Sequence, residues 1–173
     1  MNHIRTTWLA ASFFTAISFF ATAQESQETN TGKPFKVDDR MKTALDSLQY
    51  KYEITADGDF KLICKIDETR TQVVFVNSST EIFQGMEIRE IFSPAAVSAP
   101  DGLTAPFLRK LLEDNFGKKL GAWQMISGSQ SSLITFTVKT AASTPADNVN
   151  KIIWMVAHTA DELEKEISPA DDY

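Results

Sequence analysis

Cys64 is the single cysteine of this 173-residue chain, and His3 and His158 are its two histidines. His3 lies in an amino-terminal segment read below as removable, which leaves one thiol and one imidazole for chemistry. Transition-metal centres draw on several His and Cys ligands, so this supply excludes a His-rich zinc or iron site within one chain. No metal and no cofactor are expected. A Ser-His-Asp arrangement would have to use His158, with Asp161 three residues on and serines plentiful. No G-x-S-x-G elbow occurs, because "SGSQSS" from Ser127 to Ser132 reads as a hairpin loop. A Cys-His pair would need Cys64, on the inward face of a strand, to meet a residue on the outer face of a helix. Asp57-Gly58-Asp59 lacks the ligand series of an EF-hand and reads as a turn. Asp38-Asp39 fits a helix start and Asp171-Asp172 a frayed tail. No glycine-rich phosphate loop precedes either long helix. No catalytic residue is assigned, and His158 reads as a solvated helix residue. An exported hydrolase using His158 is the alternative.

The ends set the compartment. "MNHIRTTWLAASFFTAISFFATAQ" has a basic start at Arg5, an apolar run from Trp8 to Phe20 and small residues at Ala21 and Ala23. These are the parts of a secretory signal peptide over residues 1–23, too short in its apolar run for a spanning helix. The expected location is periplasmic or secreted, with no membrane attachment after cleavage. The whole chain carries 17 basic and 23 acidic residues, net −6, and losing Arg5 makes it −7. An acidic domain without a basic stripe is a poor partner for nucleic acid or anionic lipid. One cysteine excludes an internal disulfide, so packing must supply the stability.

The elements that would position any site follow from periodicity. Residues 24–37, including "QESQETNTGKPFK", form a polar leader without pattern. Asp38 is an N-cap for a helix over about Asp39–Gln49, with Met41, Leu45 and Leu48 inward. Asp57-Gly58 joins strands Tyr52–Ile54 and Phe60–Ile66, and "DETR" leads into Thr71–Val76. Phe60, Leu62, Cys64 and Ile66 share one face, so Cys64 points into the core. "QVVFV" is apolar on both faces, as in a central strand. "NSSTEIFQG" reads as a loop or irregular edge, and "MEIREIFS" as a strand ending before Pro94. Thr104 caps a helix whose apolar stripe is Phe107, Leu108, Leu111, Leu112 and Phe116. Leu120–Ile126 and Leu133–Lys139 form a hairpin in which Trp123 and Phe136 are core residues. The last helix runs from near Pro145 to about Ile167. Val149, Ile152, Ile153, Val156, Ala160, Leu163 and Ile167 form its inward stripe. Trp154 and His158, one turn apart, fall opposite, with Met155 on the flank. Together they are the protein-binding candidates, the other reading being that the leader or a neighbouring loop covers Trp154. The domain spans 38–168, with a tail over 169–173. Its fold class is α+β: an antiparallel sheet of five to six strands with three helices, in the order α-β-β-β-β-α-β-β-α.

Five stretches, "LDSLQYKYEITADGDFKLIC", "TQVVFV", "MEIREIFSPA", "LRKLLEDNFGKKLGAWQM" and "ADELEKEI", resemble the YbjN-like family of bacterial sensory transduction regulators. The resemblance covers Asp38 to Ile167 and implies a fold similar to type III secretion chaperones. It implies a domain without catalytic residues that binds another protein or itself as a homodimer. The expectation is an exported, non-enzymatic protein-binding domain acting as regulator, adaptor or chaperone. A small apolar ligand held between sheet and helices is a further alternative.

Overall fold

The computed structural model describes residues 36–99, 101–168 and 170–173, so the signal segment and the leader up to Phe35 lie outside it. The elements run α1 (Asp39–Ser47), β1 (Tyr52–Ile54), β2 (Phe60–Lys65), β3 (Thr71–Val76), β4 (Glu81–Phe83), β5 (Met86–Ser98), α2 (Ala105–Gly117), β6 (Ala122–Ser127), β7 (Ser132–Ala141) and α3 (Ala146–Ile167). The strands form one antiparallel sheet in the order β1-β2-β3-β5-β7-β6, with β4 paired to β5. The fold is therefore α+β, with seven strands and three helices among the described residues rather than five to six strands. Among the described residues no helix is long and apolar enough to cross a membrane.

Two departures from the sequence pattern have local causes. The segment read as a loop contains β4, because Gln84 and Gly85 both take left-handed backbone, at φ 49° and 84°, and close a two-residue turn with Phe83 opposite Met86. Consecutive left-handed residues are what a tight hairpin demands, and Asn-Gly is the usual pair, so Gln-Gly hides the signal. The strand expected to stop before Pro94 continues to Ser98. Its register against β7 shifts between Pro94 and Ala96, and bulges are where strands tolerate proline.

One face of the sheet carries the core. Phe60, Leu62 and Cys64 from β2, Val74 and Val76 from β3, Ile91 from β5 and Ile134, Phe136 and Val138 from β7 are all buried. The α3 helix crosses β3, β5 and β7 and buries Val149, Ile152, Ile153, Val156, Ala160 and Leu163, as the spacing predicts, while Ile167 is exposed. Trp123 packs edge-on against Phe136 at 5.2 Å between ring centroids.

The sheet has a seam. Strands β3 and β5 pair only at Phe75–Phe92 and Val76–Ile91, where the two rings stack at 5.1 Å. Beyond that point side chains replace the ladder. Ser93 Oγ donates to the Val73 carbonyl at 2.6 Å, and the Gln72 side-chain amide donates to Ser93 Oγ at 2.9 Å and to the Pro94 carbonyl at 2.7 Å. Buried backbone groups must be satisfied, so these two polar side chains stand in for strand pairing.

Buried charges tie α1 to the sheet. Arg89 on β5 is 1% exposed; it donates to the Asp38 carboxylate and to the Asn77 carbonyl. Asp38 also caps α1 by accepting from the Arg40 amide at 2.8 Å, and its own amide donates to Ser78 Oγ. Ser78 Oγ donates to the Gly58 carbonyl, and the Ser78 amide donates to Asp59. The acidic Asp57–Asp59 turn is thereby part of the anchor for α1. Hydrogen bonds from Arg40 and, against the cost of burial, from Arg89 hold the Asp38 carboxyl well below its ordinary value.

Candidate functional site

The residues with chemical potential are kept apart. Cys64 lies in the core, and burial pushes its thiol up to about 11, which leaves it a poor nucleophile. His158 stands exposed on α3 with its ring 5.7 Å from that of Trp154. Asp161 does not turn toward it. The Asp161 carboxylate accepts from Arg70 Nε at 2.5 Å and pairs with Lys165 at 2.7 Å. Burial works to raise the Asp161 carboxyl, but hydrogen bonds from Lys165 and Arg70 outweigh it and hold the group low. A groove of about 490 Å³ is lined by Gly85–Ile88 and by Lys139, Thr140, Ala141 and Ser143. All of these lie in the β4–β5 turn, on β5 or at the end of β7, so it is not the expected cleft between sheet and helices.

Trp154 and Met155 are half-buried and pack on the core cluster instead of standing free. The connection after α1 reaches this side of α3. Tyr50 follows Gln49, whose φ of 61° reverses the chain, and its hydroxyl donates to Asn150 Oδ1 at 2.6 Å. Burial pushes the Tyr50 hydroxyl up to about 12, while the Trp154 indole beside it pulls the other way. Of the three residues picked from sequence, His158 alone is exposed; Trp154 is held against the body of the protein. The connection after α1 thus reaches α3 one turn before the indole, which is half-buried.

A second apolar surface is on α2. Counted at about 100° per residue, Phe107, Leu108, Leu111, Leu112 and Phe116 fan across about 180°, wider than the face a helix hides when it packs on one neighbour. The structure buries Leu111, half-buries Phe107 and Leu108, and leaves Leu112 70% and Phe116 96% exposed. The apolar stripe read from sequence is thus split, with Leu112 and Phe116 on its open side. Nearby in sequence, Leu120 is 42% and Met125 49% exposed.

This helix is held in place from its other side. Asn115 Oδ1 accepts from the Trp123 amide at 2.7 Å, and Asp114 accepts from Trp123 Nε1 at 2.7 Å. The Asn115 side chain thus caps the outermost strand β6 at Trp123, while Leu111 enters the core. The polar anchors fix the rotation of α2, and that rotation turns Phe116 outward. The five-residue run carried the signal, since its arc was already too wide to bury.

No protein-family model matches the chain, and no curated protein matches it in sequence.

Proposed function

We propose that this chain is an exported, non-enzymatic protein-binding domain of the YbjN-like type, with a fold similar to type III secretion chaperones, that acts as regulator, adaptor or chaperone. The observation that supports it best is the outer face of α2, where Leu112 and Phe116 stand in water on a helix pinned by Asn115 and Asp114. A rigid helix presenting an aromatic and an aliphatic side chain is the form in which proteins offer contact surfaces, because little order remains to be imposed on binding. The strip of Trp154, Met155 and His158 is a secondary surface, with only His158 exposed. The hydrolase alternative draws no support from Asp161, whose carboxylate is engaged by Arg70 and Lys165.

Sedimentation of the purified chain, alone and with protein from its native envelope, tests this reading. Leu112→Asp with Phe116→Asp should weaken self-association or partner association by at least about tenfold, as removal of central apolar contacts does. Trp154→Ala should weaken it less. Association unchanged in the α2 variant would remove this surface, and hydrolysis that vanishes in His158→Ala would remove the non-enzymatic reading.

A further inference from the structure

The open side of α2 is a narrow strip. At about 100° per residue, Ala105, Arg109, Leu112 and Phe116 fall within about 60° of one another, with Glu113 on the flank, and all five are exposed. Their spacing of four, three and four residues is the d-a-d-a seam of a coiled coil, a surface made to receive another helix. The opposite side of α2 is already used: Leu111 enters the core, while Asp114 and Asn115 hold Trp123.

The charges on this strip are left over by the chain itself. Lys110 pairs with Glu166 and Asp114 with Lys118, but among the described residues Arg109 and Glu113 have no ionic partner. They do not pair with each other although they stand one turn apart, and a cation N-terminal to an anion is the weaker order for such a pair. The chain as a whole has 17 basic against 23 acidic residues, so its net charge sets one copy against another. On the strip the two signs balance, and that repulsion is absent.

Reversed, the strip complements itself. Against a second copy running antiparallel, Ala105 comes opposite Phe116, so the smallest side chain of the strip faces the largest. Arg109 then lies along Leu112 of the second copy and brings its guanidinium to Glu113 beside it. A twofold axis makes each contact twice, and the opposed helix dipoles add to the match. We propose that the partner of the α2 surface is a second copy of this chain, bound through an antiparallel pair of α2 helices in which Arg109 of each copy meets Glu113 of the other. The inference rests on the reading of α2 as a contact surface and names its occupant. One short helix from each copy covers little area, so the dimer belongs to the weak, reversible kind.

Sedimentation equilibrium of the purified chain over a range of concentrations tests it. Arg109→Glu sets carboxylate against carboxylate across the axis and Glu113→Arg sets cation against cation, so each variant alone should dimerise at least about tenfold more weakly than wild type. Mixed in equal amounts, the two variants should associate with each other to within about threefold of wild type, since every pair is then again of opposite sign. Misfolded chains would not recover in this way. The inference is overturned if the wild-type chain is still monomeric at about 0.5 mM, if either reversal leaves association unchanged, or if the mixture fails to recover. A monomeric wild type that loses an envelope protein through Leu112→Asp with Phe116→Asp removes the second copy and leaves the contact surface standing. Self-association that survives those two substitutions removes both.

Discussion

Helices α2 and α3 meet the same sheet and treat their apolar residues in opposite ways. The 22-residue α3 crosses three strands and hides its whole inward stripe except Ile167. The 13-residue α2 sits beside the outermost strand, sends Leu111 into the core and leaves Leu112 and Phe116 outside. The difference is one of neighbours. A helix laid across the middle of a sheet finds apolar surface along its length, whereas a helix at the margin has a partner on one side only. Exposed apolar residues on α2 are thus outside what folding requires, while those on α3 belong to it.

The largest effect should come from the anchored side. Arg89→Ala leaves Asp38 without its buried partner and should cost about 3–5 kcal/mol in urea unfolding, as breaking buried pairs does. Ile153→Ala on α3 should cost about 2–5 kcal/mol, the range for truncating a fully buried aliphatic side chain. Trp154→Ala should cost about 1–3 kcal/mol, less than a fully buried aromatic, because the ring is half out. Phe116→Asp should leave stability within about 0.5 kcal/mol of wild type. A large loss there would mean that α2 hides more than its exposure shows, and the contrast between the helices would fail.

Acid sharpens the same contrast. The Asp38 carboxyl is held below its ordinary value in the folded chain, so its ionised form stabilises the fold at any pH above the unfolded value of about 3.9. That contribution is lost as pH falls below about 4 toward the depressed folded value. Glu87, on the same side, is held at about 2 chiefly by hydrogen bonds from Arg40 and Thr80. Stability measured between pH 6 and pH 3 should fall at the low end, and Asp38→Asn should flatten that fall. An unchanged acid limb in the variant would show that Asp38 is not the group responsible.

Much of this was legible because periodicity speaks for faces. Phe60, Leu62 and Cys64 alternate inward as written, Asp38 and Thr104 cap their helices, and α3 spans Ala146–Ile167, close to the expected Pro145 to Ile167. What escaped depends on partners that no local pattern names. Gln84-Gly85 forms a tight turn without its usual asparagine, and Pro94 is tolerated because a bulge receives it. Trp154 lay opposite the inward stripe by counting, yet it packs on the core cluster, and Tyr50 reaches α3 one turn before it through Asn150, a hundred residues away. The tail looked frayed because its partners, Arg70 and Thr71, are equally remote in sequence.

The seam between β3 and β5 carries a consequence for assembly. The strands on its two sides share a short ladder and a few side-chain bridges, so backbone pairing alone fastens them weakly. The brace across the joint is α3, which begins only at Ala146. The helix that spans both sides of the joint is thus the last element in chain order, adding to the Arg89 anchor and the Phe75–Phe92 stack that already cross it.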